Sequence, residues 1–134
     1  MRTIKFRGFN CKNNEWLHGF YLQNRGAHFV CPDEFATNKS WDDYQVDPET
    51  VGQFTGLLDK NDKEIYEGDV VACHYDGNHH IAYRCGEWKL IASDDTWFSL
   101  VEYDPNVSIS DKLNSLKVIG NIHDNPELIK QKED

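Results

Sequence analysis

Between residues 57 and 122 the chain is cut by tight-turn sequences into apolar runs too short for helices. Asp59-Lys60-Asn61-Asp62 is one such break, because Asn and Asp side chains bond back to nearby amides and tolerate positive φ. Gly68 supplies a second position of that kind, between acidic residues and the apolar run Val70 to Tyr75. Asp76-Gly77 reads as a two-residue hairpin turn, which needs φ > 0 at both central residues. The return strand is His79 to Arg84, followed by a pair, Glu87 to Ala92 and Trp97 to Val101, about the turn at Ser93 to Thr96. Residues 110–116 read as one or two helical turns with Ser110 as N-cap, and Leu116 to Ile122 closes as a last strand. Asn125-Pro126-Glu127 opens a short C-terminal helix with Pro in its first turn. Five short strands with tight turns and a brief helix before the last have the rhythm of an SH3-like small barrel.

The first 56 residues are less regular. Ile4 to Phe9 alternates apolar with basic or small residues and pairs as a hairpin with Trp16 to Leu22. Ala27 to Cys31 is a third short strand, and Thr50 to Thr55 is extended. Pro32 to Pro48 has no clear period, but Phe35, Trp41 and Tyr44 pin it to the body as an ordered excursion. The expected fold is therefore mostly β. An irregular, β-rich (α+β) N-terminal lobe spans residues 1–56 and an SH3-like barrel lobe spans 57–134, the two forming one structural unit.

Composition supports this reading. Leu, Ile, Val and Phe fill about a quarter of the chain, above the level at which a charged chain stays disordered. Ala occurs only five times while aromatics reach 13%, which favours strands over helical bundles or coiled coils. No run of 18 apolar residues exists to span a membrane and the first residues lack a signal peptide's apolar run, so a cytoplasmic location is expected. The four cysteines, Cys11, Cys31, Cys73 and Cys85, form no C-x-x-C pair and read as free thiols in a reducing compartment.

The net charge of −9 repels phosphate backbones at long range. It is unevenly spread. Residues 1–12 carry Arg2, Lys5, Arg7 and Lys12 and no acid, whereas residues 33–49 carry six acids against Lys39. The basic strand, with Phe6, Phe9 and Trp16 interleaved, is the candidate nucleic-acid contact. The bland reading is aromatics facing a core and a solvated basic face of Lys5 and Arg7.

Other clusters offer less chemistry. With a two-residue turn at Asp76-Gly77, His74 faces His79 and Cys73 faces His80, giving a Cys–His pair with Cys85 farther along. Cys73 and His74 point to opposite faces, so the five groups do not converge, and no metal is expected. Glu64, Glu67 and Asp69 flank a strand entry, where Glu67 and Asp69 bond turn amides more readily than they do acid–base work. The chain has no G-x-S-x-G elbow, no G-x-G-x-x-G and no P-loop. No catalytic residue or cofactor is assigned.

Three segments in order resemble the YopX family, small proteins of phages and prophages of bacteria. They are Ile4-Lys5-Phe6-Arg7; Gln53-Phe54-Thr55-Gly56-Leu57 running through Asp59-Lys60-Asn61 to Lys63-Glu64-Ile65-Tyr66-Glu67-Gly68-Asp69-Val70-Val71; and Val118-Ile119-Gly120-Asn121-Ile122 with Asn125-Pro126-Glu127-Leu128. Residues 24–50 lie outside the match. Gly8 stands where the resemblance leads one to expect a small residue such as Ala, a change expected to be neutral. The resemblance implies a mostly β fold with a C-terminal SH3-like barrel, a tendency to form symmetric homo-oligomers, and a bacterial host. It implies no activity, cofactor or catalytic residue.

The expected function is then a phage- or prophage-derived, non-enzymatic assembly or binding module whose partner is itself. Phe35, Trp41, Tyr44 and Trp97 are its candidate interface residues, with the basic end of one copy meeting the acidic stretch of the next. The alternative is a nucleic-acid-binding accessory protein using Arg2, Lys5, Arg7 and Lys12.

Overall fold

The structure is a computed structural model that describes residues 3–34, 37–72, 77–100 and 116–129. Arg2, Phe35, Cys73, His74 and the expected helical turn at 110–115 lie outside the described residues. The described strands form two antiparallel sheets, and the chain divides into two compact units, Met1–Phe54 and Thr55–Asp134.

In the first unit, β1 (Phe6–Asn10) pairs on one side with β2 (Glu15–Asn24) and on the other with the start of β4 (Gly52–Leu58), through Phe6 opposite Gln53 and Arg7 opposite Gly52. β2 continues past Gly19 to pair with β3 (Ala27–Cys31). Gly19 has φ 154, and a Cβ there would stand 1.9 Å from the Cys31 carbonyl oxygen, so only glycine admits this close backbone approach.

The stretch without period proves to be organised by hydrogen bonds rather than by alternation. A 3₁₀ turn at Trp41–Asp43 leads into residues 44–47, which bridge β3 and β1. Val30 N–H donates to Tyr44 O, Val46 N–H to His28 O, and Asp47 N–H to Phe9 O. Buried Asn10 donates from its side chain to the carbonyls of Asp42 and Gln45, at 3.1 and 2.8 Å. Val46 packs over Gly8, where an added Cβ would lie 2.9 Å from the Val46 Cβ and both its methyls. The exchange read as neutral at Gly8 is therefore not neutral: that glycine makes room for Val46.

In the second unit, β5 (Glu64–Tyr66) lies beside β4, and the remaining strands follow the order β10-β6-β7-β8-β9. These are β6 (Asp69–Ala72), β7 (Asn78–Arg84), β8 (Glu87–Ala92), β9 (Trp97–Ser99) and β10 (Lys117–Asn121). Ile65, Val71, Ile81, Leu90, Leu100, Leu116 and Val118 form its core. Pro126–Leu128 is a 3₁₀ turn with Pro at its start.

The mostly β fold expected is what the described residues show; neither sheet is closed among them. The outer side of β10 is occupied by the turn at residues 59–60 instead of by a further strand of its sheet. Lys60 N–H donates to Leu116 O at 2.9 Å, and Val118 N–H donates to an Asp59 carboxylate oxygen at 2.9 Å. The α component expected for the N-terminal lobe is corrected. Its described helical elements are only 3₁₀ turns, because Asp and Ser there bond to nearby amides and cap single turns. No described helix is long and apolar enough to cross a membrane.

Candidate functional site

The four aromatic candidates separate. Trp41 and Trp97 are half-exposed, at 54% and 51%. Tyr44 is buried, which removes it from an interface. It is 4% exposed, its carbonyl accepts Val30 N–H, and its amide donates to the Trp41 carbonyl. Phe35 lies outside the described residues. Trp97 lies over the ammonium of Lys89, 3.6 Å from the ring centroid, in a cation–π contact.

Trp41 extends a larger apolar face. Its ring meets Phe29 edge-on at 5.4 Å. Phe29 stands directly opposite Leu22, and Phe20 follows two residues before Leu22 on the same side of β2. Phe20 and Leu22 are exposed. Neither was singled out from the sequence. The signal is the unbroken apolar run Phe20-Tyr21-Leu22, which period 2 spreads over both faces of one strand. Tyr21 takes the other face, beside Phe6 and hydrogen-bonded to His28. The exposed Lys39 and Glu15 form a loose ion pair at 4.0 Å.

The basic strand does not present a solvated stripe. Arg7 is 8% exposed, and its guanidinium lies 5.0 Å from the Trp16 ring. The reason is position: β1 is an inner strand, and Gly52 opposite Arg7 has no side chain to push it outward. Lys5 is half-buried, with Nζ 5.4 Å from the Phe54 ring. Lys12 bonds to Asp43 at 3.1 Å. Asp43 also accepts from the Asn13 side chain and Ser40 N–H, and these bonds with Lys12 hold its carboxyl well below the usual carboxylate range. The basic end and the acidic middle thus attract each other within one chain at this point. Beside that pair an open groove of about 610 Å³ is lined by polar groups that include Asn10, Lys12, Asp42 and Asp47.

The Cys–His pairing expected at the β6–β7 hairpin is corrected by register. Ala72 faces Asn78, Val71 faces His79 and Val70 faces His80. Five residues, 73–77, connect the paired ends, not two. The three-residue shift is odd, so it exchanges the faces of β6 relative to β7. It places Val71 on the same face as Ile81, both in the core. His79 is buried with its ring against Phe98. Cys85 is exposed at the far end of β7 with φ 54. No described group of three or more His, Cys, Asp or Glu residues could hold a metal ion.

The acidic turns serve the fold. The buried Asp69 carboxylate accepts Tyr66 N–H at 2.8 Å, and Gly68 between them has φ 89, as its place in the sequence predicts. The Asp59 carboxylate accepts Asn61 and Lys63 amides at 2.8 and 2.9 Å, in addition to Val118. Burial raises the pKa of Asp59, but the amides of Val118, Lys63 and Asn61 and the Lys63 charge outweigh it and leave the pKa lowered.

A family model described as YopX protein matches residues 5–130. The chain belongs to the YopX family. The middle segment of the YopX resemblance, residues 53–71, is accounted for by the Asp59 and Asp69 turns. This YopX chain is similar to a solved structure, the crystal structure of protein EF1440 from Enterococcus faecalis. The likeness covers 97% of this chain and 100% of that one, with 26% identity and a TM-score of 0.56. No curated protein matches the chain.

Proposed function

We propose that this YopX chain is a non-catalytic, phage- or prophage-encoded assembly module of the bacterial cytoplasm that binds a second copy of itself. The observation that carries this is the apolar face of Phe20, Leu22, Phe29 and Trp41, continuous across β2, β3 and the 3₁₀ turn. Such a face in water favours a partner that covers it. The exposed Glu15 and Lys39 of the same unit already pair loosely within the chain, which leaves the apolar face as the surface a second copy would cover. The earlier expectation of a basic end docking on a neighbour's acidic stretch has less support, because Lys12 and Asp43 already pair within the chain.

Sedimentation velocity at micromolar concentration tests the reading. The expected result is an oligomer that the double variant Phe20→Ser, Leu22→Ser reduces to monomer while the fold is retained. A wild-type monomer over the whole concentration range would overturn it. The nucleic-acid reading has only Lys5 and Arg7 against aromatic rings to support it. Tight DNA binding that falls steeply with salt would replace self-association with that function.

A further inference from the structure

β2 changes neighbours part-way along its length. Glu15 to Gly19 face β1, with Phe6 opposite Gly19 as the last pair, and Phe20 to Asn24 face β3. On β3, Val30 N–H and His28 O are engaged with Tyr44 and Val46, so these two residues turn their backbone groups away from β2. Their partners across the pair are Tyr21 and Gln23. In an antiparallel ladder both members of such a pair turn away together, so the N–H and C=O of Tyr21 and Gln23 point to the side of β2 opposite β3.

β1 does not continue along that side. Before Phe6 the chain turns to β4, where Lys5 O accepts Phe54 N–H. Among the described residues, the outward backbone groups of Tyr21 and Gln23 have no partner. This open stretch is bounded at one end by Gly19, which Phe6 occupies, and at the other by the turn at Arg25 and Gly26, with φ 52 and 82. It lacks the features that keep a strand edge from pairing, since residues 16–24 contain no Asp, Glu, Lys, Arg or Pro. In a chain of net charge −9, two copies meet there without like charges facing each other.

We propose that residues 20–24 of β2 pair antiparallel with the same residues of a second copy, about a two-fold axis at Leu22. The contact adds a strand edge to the self-association already assigned to the apolar face, and rests on the same partner. Its register follows from the two ends of the open stretch. Leu22 stands opposite Leu22 of the second copy, Tyr21 opposite Gln23, and Phe20 opposite Asn24, and every outward backbone group of the stretch is then bonded. With the axis at Tyr21, Gln23 of the second copy would meet Gly19, where Phe6 already lies. With the axis at Gln23, Tyr21 would meet Arg25 in the turn. The axis at Leu22 stands perpendicular to the joined sheet, so Phe20 and Leu22 of both copies lie on one side and the apolar surface runs across the joint.

Sedimentation velocity of the full chain with Gln23→Pro and with Gln23→Ala reads the edge. Proline removes the outward N–H and leaves the bonds to β3 in place, which is why edge strands accept it. Gln23→Pro should halve the mass of the wild-type oligomer, and Gln23→Ala, which keeps the N–H, should leave it unchanged. Amide exchange followed by NMR is a second readout that needs no variant. Above the concentration at which the chain associates, the Tyr21 and Gln23 amides should exchange about tenfold more slowly than below it. The Leu22 and Asn24 amides, bonded to β3 within each chain, should not change. If Gln23→Pro does not fold, this comparison decides. An oligomer whose mass survives Gln23→Pro, or whose Tyr21 and Gln23 amides exchange alike at both concentrations, would overturn the edge pairing and leave the apolar face as the contact. A wild type that stays monomeric would overturn both readings and leave the edge to a strand of another protein.

Discussion

Val118 donates its amide to the carboxylate of Asp59, 59 positions earlier in the chain, at 2.9 Å. The same carboxylate closes the turn that precedes β5, so one side chain holds a local turn and a long-range strand contact together. Asp59→Ala leaves three amides without their acceptor, one of them buried. The expected loss is about 2–4 kcal/mol in urea unfolding, with Asn restoring only part of it. Because the folded pKa of Asp59 is lowered, its contribution is present above the unfolded carboxyl value and is lost as pH falls through the folded one. Acid titration of the Ala variant should therefore show a shallower loss of stability below pH ~4 than the parent.

Gly8 and Val46 form a coupled pair. Gly8→Ala should destabilise by about 1–3 kcal/mol, since the new methyl meets the Val46 side chain at 2.9 Å. Val46→Ala alone opens a void. The double variant should be more stable than the sum of the two single losses predicts, and a thermodynamic cycle measures the difference.

Gly68 has φ 89 between the Asp69-capped turn and β6. A β-branched residue is strained there, so Gly68→Val should lower stability by about 1–3 kcal/mol. A thermal midpoint equal to that of the parent would contradict the turn geometry.

Salt separates two ways of assembling. The Lys12–Asp43 bond is made within one chain, and the face of Phe20 and Leu22 is apolar. The oligomer mass should therefore stay the same between low and moderate salt. A mass that falls to monomer as salt rises would favour charge pairing between copies.

The strands were legible because period 2 and turn residues are local signals. Phe6–Asn10, Ala27–Cys31 and Glu87–Ala92 fall within a residue or two of where alternation puts them. What was not legible depends on pairing across distance. The register of β6 against β7 is decided by bringing Val71 and Ile81 to one face, and the Asp76-Gly77 dipeptide carries no record of that. The burial of Arg7 follows from β1 lying between β2 and β4, which no property of residues 4–9 announces. Tyr44 looked like a surface ring because the ladder that buries it uses His28 and Val30, far away in sequence. Of the candidate surface, Trp41 and Trp97 could be named from composition, whereas Phe20 and Leu22 needed the knowledge of which side of β2 is covered.

Residues 44–46 occupy the outer hydrogen-bonding groups of His28 and Val30, so the margin of β3 is spent inside the molecule. Phe29-Val30-Cys31 is otherwise a short apolar strand of the kind that templates its own kind into fibrils. The excursion that looked irregular in sequence thus acts as a guard: it fills the open edge against which a strand of another chain would otherwise pair.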